Sequence, residues 1–234
     1  MILFYAPDIL TCSELPELES QHCIRVLRKQ AGDVIDIADG KGTFYKALIT
    51  DAHPKHCKIN IIESGKEVLP WNSRIEIAIA PTKNPERMEW FVEKAVETGI
   101  NKISLLKTRY SERKEMKTER LRKILIAAMK QSLRASLPEL QETTGFEEFI
   151  RQMFDGQKFI AHCYPEKKLL LSHLYNRGEN VLILIGPEGD FCSEEIYWAE
   201  KNGFQSVSLG ESRLRTETAA LIACQTIHIL NQLP

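Results

Sequence analysis

Apolar residues alternate with polar ones in short runs up to about residue 70. Alternation of this kind predicts β-strands that bury one face. The predicted strands cover residues 34–37, 44–49 and 58–62, and helical spacing occurs only at residues 19–29. Residues 65–72, which include Pro70, have the composition of a linker. The pattern therefore predicts a small β-barrel or sandwich that ends near residue 70.

Beyond residue 70, short apolar runs alternate with segments of helical spacing. The predicted strands are residues 75–80, 103–106, 159–163, 181–185 and 207–209, and the predicted helices are residues 85–98, 118–135, 165–175, 193–202 and 216–230. Strands that alternate with helices predict an α/β fold with a mostly parallel sheet. We therefore expect two domains, residues 1–70 and residues 71–234.

Two of the predicted helices carry further information. Asn84, Pro85 and Gly99 are the residue types expected at the N-cap, at the first position and just beyond the end of a helix at residues 85–98. The helix at residues 216–230 is apolar on nearly every side. Such a helix is expected to be buried on two sides, and one of these sides could face a second subunit.

Glycines end two of the predicted strands and indicate a binding site. Gly186 follows the strand at residues 181–185, and Gly210 follows the strand at residues 207–209. Ligands of open α/β sheets bind at the carboxyl ends of the strands, and a glycine lets the backbone approach them closely. Glu188, Arg215 and Glu217 add charges beside these glycines.

Simpler interpretations of the same residues stay open. The residues that follow Gly186 also fit a strand-to-helix turn in which Asp190 or Ser193 caps the helix. Arg215 and Glu217 also fit a purely structural ion pair. His162, at the end of the strand at residues 159–163, fits a ligand contact and a hydrogen-bonded rim histidine equally well.

Composition indicates a soluble protein. With 234 residues, 43% of them hydrophobic, the chain is long enough for one large or two modest domains. No apolar run approaches the roughly 20 residues that span a bilayer, and the first residues lack a charged leader with a cleavage site. We expect a cytoplasmic protein that does not contact a membrane.

The cysteines and histidines do not predict a metal site. Six cysteines are scattered without a CxxC pair, which argues against a disulfide framework and a zinc cluster. Residues 53–57 contain two histidines and a cysteine, but no second cluster lies at metal-ligand spacing, so a polar loop is the better interpretation. We expect no metal.

Charge is strongly uneven although the net charge is only −1. Residues 102–134 contain eleven Lys or Arg against three Asp or Glu, a local charge of +8. A solvated helix face would explain part of this charge, but a polyanionic partner explains it better. Neither GxGxxG after residues 75–80 nor GxxxxGK[ST] occurs, so dinucleotide-binding and P-loop enzymes lack their fingerprints.

Five motifs together resemble one family. They are HCIRVLR at residues 22–28, KAVETGI at 94–100, AMKQSLR at 128–134 with Pro138, GPEGDF at 186–191 and LGESRLRTETA at 209–219. The whole chain resembles the bacterial 16S ribosomal RNA uridine-N3 methyltransferase family of the SPOUT superfamily. Asp190, Thr98 and Lys130 stand where a glycine, a leucine and an acidic residue are commoner.

The resemblance implies a PUA-like β-barrel followed by an α/β domain with a C-terminal trefoil knot. It also implies that S-adenosylmethionine binds in loops near His162, Gly186 and Leu209, held mostly by backbone groups. The residues implied to contact this cofactor are His162, Leu184, Gly186, Pro187, Glu188, Gly189, Leu209, Gly210, Leu214, Thr216, Thr218 and Ala219.

Three residues are expected to take part in catalysis. Uridine N3 carries a proton, and its loss leaves a negative charge that Arg215 is the best candidate to stabilise. Arg215 cannot be the base, because a guanidinium stays protonated. Glu217 is a candidate to accept the proton or to orient Arg215, and Glu188 competes for both roles.

The expected partners are the small ribosomal subunit with its 16S ribosomal RNA and a second copy of the chain. The residues expected to bind RNA are His22, Arg25, Arg28, Arg109, Arg113, Lys114, Arg120 and Arg134. A related enzyme that methylates a ribose hydroxyl or a base of transfer RNA, and a non-catalytic RNA-binding module, are the alternatives.

Overall fold

The computed structural model describes residues 2–68 and 71–233. The chain divides into two compact units, one of residues 2–68 with 126–137 and the other of residues 71–125 with 138–233. The segment at residues 126–137, which the sequence pattern assigns to the second domain, is thus grouped with the first unit. The division into functional domains at residue 70 stays a prediction.

The first unit is built on a mixed four-stranded sheet with the strands in chain order. The strands are β1 (Leu3–Tyr5), β2 (Val34–Ala38), β3 (Thr43–Asp51) and β4 (Lys58–Lys66). β1 is parallel to β2, and the other two pairs are antiparallel. Helix α1 (Glu17–Gln21) continues as a π-helical turn at His22–Val26.

Alternating residues of these strands form the core of the first unit. Ile35 and Ile37 of β2 pack with Tyr45, Ala47 and Ile49 of β3. The three strands expected from alternation are confirmed. β4 continues through Gly65 and Lys66, which the sequence pattern assigned to a linker; Leu69 and Pro70 of that linker lie outside the described residues.

The second unit contains six parallel strands in the order β10-β8-β9-β5-β6-β7. They are β5 (Ile75–Ile79), β6 (Lys102–Lys107), β7 (Glu139–Gly145), β8 (Gln157–Ala161), β9 (Val181–Ile185) and β10 (Gln205–Val207). Every residue of the central strands β5 and β9 is buried, which explains their largely apolar sequences. The expected parallel α/β fold is confirmed, and the C-terminal knot stays a prediction.

Six helices connect or flank these strands. They are α2 (Pro85–Glu97), α3 (Thr118–Gln131), α4 (Phe146–Ile150), α5 (Leu171–Leu174), α6 (Ser193–Lys201) and α7 (Thr216–Gln232). Asn84 caps α2 as expected, since its side chain accepts a hydrogen bond from the Glu86 N–H at 3.0 Å. Within the described residues, no helix combines the length and apolar character needed to cross a bilayer.

The structure corrects several local expectations. Of the helix expected at residues 165–175 only the single turn α5 forms. Neither Asp190 nor Ser193 caps α6; its N-cap is Cys192, whose N–H donates to Glu195 Oε2 at 2.9 Å. α3 ends at Gln131, four residues early, shortly before Leu133 takes a left-handed conformation with φ of 55°. β10 begins two residues before the predicted strand.

Candidate active site

A cavity of about 1120 Å³ opens at the carboxyl ends of β8, β9 and β10. Three loops line it, at residues 161–168, 185–190 and 207–216, together with Ala219 of α7. β9 lies between β8 and β5, so the strand order is not the chain order at this edge of the sheet. Ligands of open α/β sheets bind at such places.

Most of the residues expected to contact the cofactor line this cavity. They are His162, Gly186, Pro187, Glu188, Gly189, Leu209, Gly210, Leu214, Thr216 and Ala219. Leu184 and Thr218 do not. Leu184 is fully buried inside β9, where its side chain belongs to the hydrophobic core with Phe191, and Thr218 is half-buried in the first turn of α7.

Glycine occupies positions 186 and 210 of these loops for different structural reasons. A Cβ on Gly186 would lie 3.2 Å from the Phe191 ring and backbone nitrogen, so packing inside the protein favours glycine there. Gly210 has a φ of +130° and open space around it, so the conformation of its loop requires glycine. Only at Gly210 is the space beside the α-carbon free for a ligand.

Asp190 joins two of the loops. Its Oδ2 accepts a hydrogen bond from the Cys163 N–H at 2.7 Å, and its Oδ1 accepts one from the Phe191 N–H at 2.8 Å. Asp190 has a φ of 65°, a conformation that most residues other than glycine avoid. The carboxylate thus fixes the loop after β8 to the turn after β9.

His162 is buried at the wall of the cavity. Its Nε2 lies 3.0 Å from Ser206 Oγ and 3.0 Å from Glu166 Oε1. Burial lowers the pKa of the His162 imidazole below its ordinary value, and the positive charge of Lys168 lowers it further, against the opposing effect of Glu166. The hydrogen-bonded interpretation is confirmed, and His162 also lines the cavity, whereas its contact with a ligand stays a prediction.

The three candidate catalytic residues occupy different environments. Arg215 is exposed, lines the cavity immediately before α7, and makes no ion pair within the described part of the chain. Glu188 is exposed on the cavity wall, and its Oε1 accepts a hydrogen bond from the Lys83 N–H at 3.0 Å. Glu217 is buried and does not line the cavity.

Glu217 is paired with an arginine that the sequence did not single out. Its Oε1 lies 3.7 Å from Arg87 Nε in the first turn of α2, and its Oε2 has no hydrogen-bond partner among the described residues. The structure therefore does not support an Arg215–Glu217 pair. No local sequence signal identifies Arg87, because the two residues meet only when α7 packs on α2.

The residues expected to bind RNA are only partly available. Arg25, Arg28 and Lys114 are exposed, and His22 is half-buried against Phe4. Others are held by acidic residues: Arg109 by Glu194 at 3.7 Å, Arg120 by Glu89 at 2.7 Å and Arg134 by Glu67 at 3.5 Å. Arg113 donates from Nη2 to the Lys83 carbonyl at 3.1 Å, and its Nε is buried.

Ion pairs with acidic residues offset part of the basic charge of residues 102–134. Besides Arg109, Arg120 and Arg134, Lys102 pairs with Glu76 and Lys130 with Glu19. The remaining exposed charge lies mainly on Lys107, Lys114, Lys117, Arg122 and Lys123. Across residues 2–68 and 71–233, no group of three His, Cys, Asp or Glu side chains could hold a metal ion.

Known proteins match this chain over both units. A family model described as RNA methyltransferase domain matches residues 69–228, and one described as RNA methyltransferase PUA domain matches residues 15–62. The "Ribosomal RNA small subunit methyltransferase E" of Mesomycoplasma hyopneumoniae is 31% identical over 179 residues, which cover 72% of this chain and 75% of the relative.

Solved structures agree with these matches. A probable rRNA-methyltransferase from Porphyromonas gingivalis is 46% identical with a TM-score of 0.94, covering 99% of this chain and 98% of that one. A ribosomal RNA small subunit methyltransferase E from Neisseria gonorrhoeae, crystallised with S-adenosyl methionine, is 27% identical with a TM-score of 0.87 and covers 98% of both chains.

Proposed function

The chain belongs to the ribosomal RNA small subunit methyltransferase E family, and on that premise we propose that it methylates N3 of one uridine in 16S ribosomal RNA. Its methyl donor is S-adenosylmethionine. The observation that carries the proposal is the three-loop cavity, with Arg215 and Glu188 on its wall.

The cavity fits this donor in size and in chemistry. At about 1120 Å³ it is at least as large as typical small-molecule sites. Leu209, Leu214 and Ile185 offer apolar contact, and the open space at Gly210 admits a ligand close to the backbone. The bound donor supplies a methyl group on a positively charged sulfur.

Arg215 is proposed to stabilise the charge that develops on the uracil. When N3 loses its proton, negative charge spreads over N3, O2 and O4. The Arg215 guanidinium is exposed at the cavity and is not committed to an ion pair among the described residues, so its donors are available to an oxygen of the base. A fixed positive charge at that place lowers the barrier to methyl transfer.

Glu188 is proposed to accept the N3 proton. It lines the cavity, and the hydrogen bond from the Lys83 N–H fixes one carboxylate oxygen while the other remains available. Glu217 is the weaker candidate, because it is buried beside Arg87 and lies outside the cavity lining. A general base must reach the proton that it abstracts, which favours Glu188.

The proposed partners are the small ribosomal subunit and a second copy of the chain. Exposed Arg25 and Arg28 in the first unit and Lys114 in the second support contact with the RNA backbone. α7 buries Ala220, Ala223 and Ile227 within its own unit, whereas Ile229 remains 47% exposed. This exposed apolar side supports a homodimer, and the proposed location is the cytoplasm, where bacterial ribosomal subunits assemble.

Transfer of labelled methyl groups tests the proposal. Purified protein and labelled S-adenosylmethionine are incubated separately with small subunits, large subunits and transfer RNA from a strain that lacks the gene. We expect label only in the 16S RNA of small subunits. Label in transfer RNA would favour the related transfer RNA enzyme, and donor binding by calorimetry without any transfer would favour a non-catalytic module.

A further inference from the structure

Two exposed tyrosines flank the turn that follows β9, and the mechanism above uses neither of them. Tyr110 belongs to the loop after β6 and is 49% exposed, and Tyr164 belongs to the loop after β8 and is 38% exposed. Tyr164 lines the cavity. Exposed aromatic rings beside a ligand cavity are typical of surfaces that contact a binding partner.

Tyr110 is held against the cavity wall by a structured loop. A Cβ on Gly189, a cavity-lining residue, would lie 3.1 Å from the Tyr110 Cβ. The Arg109 N–H donates to Glu195 Oε1 at 2.8 Å, and the Thr108 N–H donates to Ser111 Oγ at 3.0 Å. The position of Tyr110 is therefore fixed on both sides along the chain, although its ring is exposed.

Tyr164 is held from the same turn. The Asp190 carboxylate binds the N–H of Cys163, the residue next to Tyr164, at 2.7 Å. The Tyr164 ring packs edge to face on His162 with the ring centres 5.8 Å apart. Gly189 and Asp190 thus hold the two tyrosine-bearing loops, one on each side.

The two tyrosines lie on either side of Gly189 and Asp190 and do not pack on each other. Loss of water contact raises the pKa of Tyr164, and the nearby Tyr110 raises it further. Among the ring contacts of the described residues, Tyr164 packs on His162, and the two tyrosines make no ring contact with one another. Neither ring covers the other, and both tyrosines keep an exposed surface.

The proposed reaction needs such a site. N3 lies on the Watson–Crick edge of uracil, so the target base must leave its stack and its pairing before it can be methylated. Stacking of a base on an aromatic side chain compensates for part of this cost. It typically raises the affinity five-fold or more for each base. Without it, the unstacked base would have few contacts beyond its polar edge.

We propose that Tyr110 and Tyr164 form the site that receives the uracil ring of the flipped uridine, with Gly189 and Asp190 setting their spacing. The site lies beside Glu188, the residue that precedes Gly189. The inference rests on the proposed function, because the identity of the base comes from the uridine-N3 activity.

A binding assay without chemistry tests this site. The probes are a fluorescent decauridylate and the same decamer with abasic sugars, each measured by anisotropy with S-adenosylhomocysteine present. The wild-type protein is expected to prefer decauridylate by roughly ten-fold. Tyr110→Ala and Tyr164→Ala should each remove most of that preference, and Tyr110→Phe and Tyr164→Phe should keep it, because stacking needs the ring and not the hydroxyl.

Tyr197→Ala is the matched control, since Tyr197 is 52% exposed on α6 and packs on Trp198 away from the cavity lining. In every variant, the affinity for S-adenosylmethionine measured by calorimetry should stay within a few-fold of wild type. This result would show that the cavity is intact. If the phenylalanine variants prefer decauridylate as little as the alanine variants do, base stacking on these two rings is contradicted.

The two proposals fail in different ways. Equal wild-type affinity for both decamers, together with methyl transfer to small subunits, would overturn the tyrosine site and leave the function standing. A strong preference for decauridylate that both alanine variants lose, without methyl transfer to any RNA, would support the tyrosine site and contradict the proposed function.

Discussion

Arg215 stands where the cavity meets the first turn of α7, and its exposed guanidinium distinguishes it from the buried Glu217 two residues later. A side chain that stabilises charge only during the reaction contributes to turnover and little to donor binding. Sequence spacing alone could not show that Arg215 is exposed and Glu217 buried. The burial of Glu217 depends on how α7 packs against α2, where Arg87 lies.

Arg215→Ala is expected to lower the single-turnover rate of methyl transfer by roughly 10²–10³ while donor affinity stays within a few-fold of wild type. Rates are measured at saturating donor and RNA, and affinity by calorimetry. Arg151→Ala removes another exposed arginine, which pairs with Glu147 away from the cavity lining, and should leave both quantities unchanged. An equal loss of rate and donor affinity would indicate a structural arginine.

Glu188→Gln is expected to lower the same rate by roughly 10² or more, because the amide cannot accept the N3 proton. The defect should become smaller as the pH rises, since solvent then removes the proton. Glu211→Gln is the control, as Glu211 also lines the cavity and is exposed. A Glu188→Gln variant with wild-type rates throughout the pH profile would exclude this base.

The elements were largely predictable where the chain repeats a simple pattern. β9 is a continuous apolar run, β5 is apolar except for Glu76, and α2 carries Asn84 and Pro85 at its start, so local rules identify them. β7 was missed because its sequence, ELQETTG, is mostly polar and it pairs on one side only, at the edge of the sheet. β7 is positioned by its pairing with β6, and no local sequence signal reveals this pairing.

The site was predictable in outline and not in detail. Strand ends with glycines identified the loops that line the cavity, but the sequence did not indicate that a Cβ on Gly186 would crowd Phe191. The segment at residues 165–175 has helical spacing yet forms mostly loop, and residues 165–168 line the cavity instead. Such contacts between distant residues leave no periodic pattern in the sequence.

The basic stretch is predicted to act through its unpaired lysines. Lys114→Ala should reduce the slope of log affinity against log salt for 16S RNA by about 0.7, the contribution of one phosphate contact on a single strand. Lys201→Ala, on the exposed surface of α6, should leave the slope unchanged. The slope comes from filter binding across a series of salt concentrations. An unchanged slope for Lys114→Ala would show that this lysine does not contact the RNA.

At the scale of the whole molecule, the exposed side of α7 is predicted to join two copies of the chain. Ile229→Asp should yield monomers that remain folded, because Ile229 is 47% exposed within one chain, whereas an unpaired carboxylate buried in an interface is costly. Light scattering gives the mass, and thermal unfolding reports the fold. Met153→Asp, at another exposed apolar residue, should stay dimeric.

Two outcomes would contradict the dimer. One is a wild-type protein that is monomeric and fully active at nanomolar concentration. The other is an Ile229→Asp variant with the wild-type mass and activity. Ile227→Asp offers a contrast, because Ile227 is fully buried within its own unit and its replacement should unfold the chain.

Nucleoside mass spectrometry of 16S ribosomal RNA tests the proposed reaction most directly. RNA is compared between a wild-type strain and one lacking the gene, and small subunits from the deletion strain are then incubated with the purified protein and isotope-labelled S-adenosylmethionine. We predict that N3-methyluridine is absent after deletion and returns carrying the label. N3-methyluridine that persists in the deletion strain, or label recovered in a ribose-methylated nucleoside or another base, would contradict uridine-N3 methylation by this protein.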